Sequence, residues 1–202
     1  MNDSLSWFGT AMDGATPLDP EDLVALRPSW VLTRADLNLV ERDNIAKALV
    51  RRRWQRPRLG PLLDDMAIRD LHRDMFEDVW EWAGRYRSRE LSIGVDPAQV
   101  ATAVRLLVDD ARVWLSEPSP AAIELAACRL HHRLVEIHPF PNGNGRLARA
   151  YTNLVLRAMG KSEFTWGSHA GAGAEAVRSA YLAALRAADR GDFSQLLTFV
   201  RT

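Results

Sequence analysis

Over most of this chain apolar residues recur every three or four positions, a spacing that predicts helices. Thr33 can N-cap a first helix near 34–54, with Asp36 completing a variant capping box and Leu37, Val40, Ile45, Ala48 and Leu49 on its apolar face. Asp64 or Asp65 can start a second, running through Ile68, Leu71, Met75, Val79 and Trp82 to Gly84. Asp96-Pro97 opens a third with Val100, Val104, Leu107, Ala111 and Leu115. Pro118 and Pro120 stop it and open a fourth, which passes through Ile123, Ala127, Leu130 and Leu134 to about Ile137. A fifth begins near Gly143 and ends at Gly160, and two more lie near 173–190 and 192–201, divided by Gly191. The period changes at Tyr86–Val95, where Leu91, Ile93 and Val95 alternate, and a small β-hairpin is expected there. The fold class is all-α with this minor β element. Residues 1–22 are rich in Gly, Pro, Thr and Ser and lack periodicity, so the organisation is an irregular arm over 1–32 and one helical domain over 33–202.

Composition narrows the function classes. The 202 residues are enough for one domain with a core of its own. Lys+Arg and Asp+Glu are both 26, so the net charge is zero, and binding to nucleic acid or anionic lipid through a bulk field is disfavoured. One cysteine, Cys128, excludes an intrachain disulfide and a cysteine-rich zinc site, and its apolar neighbours suggest an inert core thiol. No basic-then-apolar leader and no long apolar stretch is read, so a cytoplasmic protein without a membrane span is expected. Lys47 and Lys161 are the only lysines among the bases, which, with the abundant alanine, hints at a GC-rich bacterial genome.

The charges are unevenly placed. Residues 1–22 carry five acids and no base, whereas 42–58 hold seven bases against Asp43. Arg51–Arg58 with Trp54 is the best argument for nucleic acid, against the plainer reading of a solvated or partner-facing helix end. His131 and His132 are adjacent and point to different helix faces, so packing is preferred to metal; His72 and His169 are isolated, and Trp80, Trp82 and Trp114 read as packing.

The informative stretch is Ile137-His138-Pro139-Phe140-Pro141-Asn142-Gly143-Asn144-Gly145-Arg146-Leu147-Ala148-Arg149. One helix ends at His138, a turn follows, and a new helix starts at Gly143–Gly145. Bare N–H groups at a helix N-terminus make an anion site. Arg146 and Arg149 share a face of its first turn, where cations oppose the macrodipole unless an anion is bound. A nucleotide phosphate chain would justify them. His138 beside such a cradle suits a general base, and the pair suggests transfer of a phosphorus group to a nucleophile.

These residues resemble the Fic motif, H-x-F-x-[D/E]-G-N-G-R-x-x-R, through His138, Phe140, Gly143, Asn144, Gly145, Arg146 and Arg149, with Asn142 where an acid is usual. Trp82-Ala83-Gly84-Arg85-Tyr86-Arg87 is similar to the segment leading into the Fic flap hairpin. Ile93-Gly94-Val95-Asp96, Phe164-Thr165-Trp166-Gly167 and Ala187-Ala188-Asp189-Arg190-Gly191-Asp192 resemble the Fic subgroup called mobile mystery protein B, and the resemblance spans roughly 33–202.

The resemblance implies a protein adenylyltransferase that moves AMP from ATP to a Ser, Thr or Tyr hydroxyl, with His138 as base. Asn142, Gly143, Asn144, Gly145, Arg146 and Arg149 would bind ATP and its phosphates, with Phe140 buried beneath. Tyr181 and Asp189 would line the adenine pocket, and Ser88, Arg89, Glu90, Leu91, Ser92, Ile93, Gly94 and Val95 would form the flap that docks the target. Glu41, in Leu37-Asn38-Leu39-Val40-Glu41-Arg42, is a distant match to the inhibitory pattern of the family and would reach Arg149. Asn142 is a poor metal ligand, so Mg²⁺ would come chiefly through ATP phosphates. The implied partners are a protein target, a companion antitoxin-like or helix-turn-helix protein and, as an open alternative, a second copy of the chain. The other reading is a weakly active Fic-fold nucleotide-binding regulatory module of a toxin–antitoxin-like pair.

Overall fold

A computed structural model describes residues 24–54, 57–116, 119–168 and 170–202. Most of the acidic arm, Arg56, Pro118 and His169 lie outside the described residues, as do the side chains of Arg53 and Trp54. Among the described residues the structure is helical: α1 (Arg34–Trp54), α2 (Leu59–Leu62), α3 (Asp65–Phe76), α4 (Val100–Trp114), α5 (Pro120–Ile137), α6 (Asn144–Ala158), α7 (Ala174–Ala188) and α8 (Ser194–Phe199).

The expected caps at Thr33, Asp64 and Asp96 form, and Ser119, which the sequence reading passed over, adds another. The Asp36 N–H donates to Thr33 Oγ1 at 3.1 Å, and the Thr33 N–H donates back to Asp36 Oδ2 at 2.9 Å. Asp64 accepts the Met66 N–H, Asp96 accepts the Ala98 N–H at the head of a single 3₁₀ turn, Pro97–Gln99, and Ser119 accepts the Ala122 N–H. Each satisfies one of the amide groups that a helix start leaves unpaired.

The centre of the fold is α6. Leu147, Ala148, Tyr151, Leu154 and Val155 are buried on different sides of it, so it is covered nearly all round. It packs on α5 and touches α2 and α3; α1 lies on α3, and α4 and α8 flank α5. Behind it, Asn153 accepts the Phe164 N–H and donates to the Phe164 carbonyl, while the Thr165 N–H donates to the Val200 carbonyl, tying the chain's end to the core.

Two sequence expectations fail. α3 stops at Phe76 instead of reaching Gly84, because neighbouring elements intercept the backbone beyond it. Asn44 of α1 takes the Asp78 N–H at 3.1 Å, and Leu26 and Trp80 form an isolated antiparallel bridge, with the Arg27 N–H on the Val79 carbonyl. The hairpin at 86–95 is also absent. Its two ends bond to a third segment instead of each other: the Arg87 N–H donates to the Pro139 carbonyl and the Val95 N–H to the Ile137 carbonyl.

Two arginines of the basic run, Arg51 and Arg52, both pair with Asp74, at 3.1 and 2.6 Å, so part of its charge is spent within the fold.

Candidate active site

α5 ends by turning left-handed at His138, with φ 52° and ψ 60°. A non-glycine residue there is strained by about 1–2 kcal/mol, and its surroundings hold it. The His138 N–H donates to the Leu134 carbonyl at 3.3 Å, and its own carbonyl accepts Arg87 Nε at 2.7 Å. Its ring Nδ1 lies 3.2 Å from the Val135 carbonyl, which can only accept, so Nδ1 carries the proton and Nε2 keeps its lone pair. Burial, with the Arg87 cation as a smaller cause, pushes the ring's pKa down to about 4, against the opposing Val135 contact. His138 is therefore a neutral base in a fixed tautomer at physiological pH.

The turn that follows is tied internally. Asn144 Oδ1 accepts the Phe140 N–H at 2.9 Å, and its Nδ2 donates to the Phe140 carbonyl at 2.7 Å. Its side chain thus closes the loop, and what it can offer an anion is its backbone amide. Phe140 is wholly buried, as expected, and stacks on His72 with ring centroids 3.8 Å apart. His72 accepts the Gly84 N–H on Nδ1 at 3.0 Å, so its Nε2 donates to the Asn142 carbonyl at 3.1 Å. Burial lowers its pKa to about 3 and keeps it neutral.

Gly143 has φ +80°, and a Cβ there would lie 2.4 Å from Phe76 Cζ, so only glycine fits. A Cβ on Gly145 would meet nothing within 4 Å, which leaves this helix start open to a ligand. Arg146 stands beside it, its Cζ 5.0 Å from the Phe76 ring centroid. Arg149 is buried, its Nε donating to the Gly145 carbonyl at 3.3 Å and its Cζ 5.5 Å from the Tyr181 ring.

Glu41, 2% exposed, reaches into this cluster from α1. Its Oε1 accepts Trp80 Nε1 at 2.7 Å and faces Asn142 Nδ2 at 3.4 Å, while Oε2 pairs with Arg146 Nη1 at 2.8 Å. The arginine held by Glu41 is thus the first of the motif, Arg146, where the sequence reading expected Arg149.

Other predicted site residues are placed less centrally. Tyr181 is buried against Arg149, with its hydroxyl 2.9 Å from His131 Nε2. Asp189 is largely exposed and pairs with His132 at 2.7 Å, at the far end of α7. The Tyr181 phenol and the Asp189 carboxylate contact different histidines, His131 and His132. Of Ser88–Val95, Val95 and Gly94 lie against the His138 turn, and Ser92 and Ile93 are exposed. Reasoning from sequence missed Arg87, His72 and Phe76. His72 had a signal, a histidine on the apolar stripe of Ile68, Leu71 and Met75; Arg87 had none in its local pattern.

The Fic/DOC family profile matches residues 62–156, which include the whole His138–Arg149 stretch. Residues 62–156 form a Fic/DOC domain. Protein adenylyltransferase fic-1 of Caenorhabditis elegans is 31% identical over 124 residues, 58% of this chain and 22% of that protein. Protein adenylyltransferase Fic of Nematostella vectensis is 36% identical over 81 residues, 39% of this chain and 19% of that one. The chain therefore spans about a fifth of the length of these curated relatives. Among solved structures, the Fic domain of a Bartonella effector from strain AR 15-3 shares the fold with TM-score 0.70 at 15% identity, covering 91% of this chain and 92% of that one. BepC of Bartonella tribocorum, solved with bound AMPPNP, gives TM-score 0.65 at 16% identity over 84% and 86%.

Asn142 offers a neutral oxygen that already accepts the Gly143 N–H at 2.7 Å, and its amide nitrogen faces Glu41. Magnesium favours carboxylates and phosphates, and no group of three or more His, Cys, Asp or Glu suited to a metal occurs among the described residues. The donor set around the motif therefore does not fit a protein-held magnesium ion. Among the same residues no helix is long and apolar enough to cross a membrane.

Proposed function

We propose that this protein transfers AMP from ATP to a Ser, Thr or Tyr hydroxyl of a protein target. The observation that carries the reading is His138, a buried imidazole with Nδ1 fixed as donor and Nε2 left basic, one turn away from an open helix N-terminus flanked by two arginines. The amides at the start of α6, with Arg146 and Arg149, bind and orient the phosphates. His138 Nε2 takes the proton of the target hydroxyl as its oxygen attacks the α-phosphorus. The bond from that phosphorus to the bridging oxygen breaks, and pyrophosphate leaves. Magnesium, carried by the phosphate oxygens of ATP, would neutralise part of their charge. Base assistance of this kind contributes roughly 10²–10⁴ in rate. Tyr181 is the better placed of the two expected adenine contacts, since it lies against Arg149.

Glu41 favours a second element of this reading, in which the site is held partly shut. Its carboxylate takes the Arg146 guanidinium that the phosphates need, so ATP must displace it. A nucleotide-binding module with feeble transfer is the runner-up, and the same contact supports it. The deciding experiment is incubation of the full chain with α-labelled ATP and a bacterial lysate. A labelled protein band that vanishes in His138→Ala supports transfer; nucleotide binding with no labelled band establishes the runner-up and overturns transfer.

A further inference from the structure

We infer that Arg87 is a positioning residue for His138: one buried guanidinium clamps the flap segment to the turn that carries the base. Arg87 is 4% exposed. Its Nε donates to the His138 carbonyl at 2.7 Å, Nη1 to the Arg89 carbonyl at 3.0 Å, and Nη2 to the Val95 carbonyl and, at 3.5 Å, to the Ile137 carbonyl. Its own N–H donates to the Pro139 carbonyl at 2.9 Å. Carbonyls from both ends of the 88–95 loop, from Ile137 and from the left-handed His138 itself therefore converge on one cation. The planar fork of arginine can meet several carbonyls at fixed angles, which the point charge of lysine cannot.

These backbone carbonyls satisfy the guanidinium in the interior, and the carboxylates of Asp96 and Glu90 lie near enough to favour its charge. A buried charge is tolerated only when hydrogen-bonded in this way. Gly94 completes the device. It has φ +114°, and a Cβ there would lie 2.6 Å from Arg87 Nη2 and 2.8 Å from His138 Cβ. The absent side chain is what lets the arginine, the loop and the histidine close up. Across this contact the clamp holds the strained backbone of His138, excludes water from its ring, and keeps a positive charge close enough to oppose its protonation.

The inference rests on reading His138 as the base, so its test includes a measurement without turnover. His138 is followed by NMR between pH 8 and pH 5.5 in the full chain, with His138→Ala identifying its signal. In the unchanged protein the ring stays neutral through this range. In Arg87→Met its protonated fraction at pH 5.5 rises about tenfold, the effect of losing one nearby buried charge and admitting water. In transfer assays the same variant loses about 10–100-fold in kcat, the scale expected for a misplaced catalytic group, with KM for ATP within about twofold of the parent. Gly94→Ala reproduces the direction of both effects. If Arg87→Met does not fold, Arg87→Lys carries the test, with a smaller rise in protonated fraction and a smaller loss of kcat. Folded Arg87 variants with an unchanged His138 titration overturn the proposal. Absence of transfer in the unchanged protein would sink the reading of the activity and leave the titration to decide on Arg87.

Discussion

Water reaches the His138 ring poorly, the Val135 carbonyl fixes its proton on Nδ1, and Arg87 lies close by, so a second proton is disfavoured. A histidine with a pKa near 6.5 would lose half its base form at that pH. With its pKa at about 4, His138 stays basic as pH falls through 6.5, and the base form is lost only as pH approaches 4. Transfer per folded molecule should therefore stay level from pH 8 to about pH 5.5. An inflection near 6.5 in the kcat profile would show that the ring is solvated in the working enzyme. Residue 142 makes a second case. An aspartate there would set a carboxylate beside Glu41, where Asn142 Nδ2 now lies 3.4 Å from Oε1. Like charges at this range repel, so Asn142→Asp alone should gain little magnesium-dependent transfer. Glu41→Gln should raise transfer by roughly 5–150-fold, the range of a 1–3 kcal/mol coupling, by releasing Arg146. The double variant should exceed the product of the two single effects, since the sites touch. Simple multiplicativity in that cycle would mean that Glu41 and Asn142 act independently.

At the scale of elements, what could be read in the chain and what could not divides along contact range. The starts of α1, α3 and α4 were legible because Thr33, Asp64 and Asp96 act on amides within three residues of themselves, and that of α5 because Pro120 suits a first helical position. The open start of α6 was legible for the same reason, its glycines and arginines lying close together in the sequence. The end of α3 was not, because Asn44 and Leu26, distant in sequence, capture the backbone at 78–80. Nor was the missing hairpin, since alternation at Leu91, Ile93 and Val95 is silent about a buried arginine that draws both loop ends to residues 137–139. Glu41 lay on a recognisable helix, yet only the packing of α1 on α3 selects Arg146 as its partner. Gly143 joins the two ranges, because its turn is local while its intolerance of a side chain comes from Phe76 on α3. Gly143→Ala should push the start of α6 off Phe76 and weaken ATP binding at least about tenfold, the equivalent of the lower part of a 1–3 kcal/mol backbone strain. Phe76→Leu in the same chain should recover part of that loss, measured by calorimetry with ATP. No recovery would place the cost in the dihedral angle alone.

The chain has a neutral charge sum, and among its described residues three buried histidines, His72, His131 and His138, resist protonation, which governs the response to acid. His72 and His131 have pKa values pushed down to about 3 and His138 to about 4, in each case chiefly by burial. Each ring binds a proton near pH 6.5 when the chain is unfolded, but the folded protein refuses it until the pH is far lower. Near pH 5 the unfolded state therefore holds close to three more protons than the folded state at these sites. Stability rises with pH wherever the unfolded state binds more protons, so the contribution is present above pH 6.5 and is lost as the pH falls. Three protons correspond to a slope of about 4 kcal/mol per pH unit near pH 5, large beside the roughly 5–15 kcal/mol of a typical domain. Denaturant titrations at pH 7, 6 and 5 should show the midpoint falling over the first step and roughly twice as far over the second. His72→Phe keeps an aromatic ring stacked on Phe140 and removes one of the three titrating groups. Its overall stability should be lower, because the Gly84 and Asn142 contacts are lost, but its dependence on pH should be shallower by about a third. A slope unchanged in His72→Phe would mean that His72 gains access to protons in the folded state, and that the stack beneath the motif loop opens on its own.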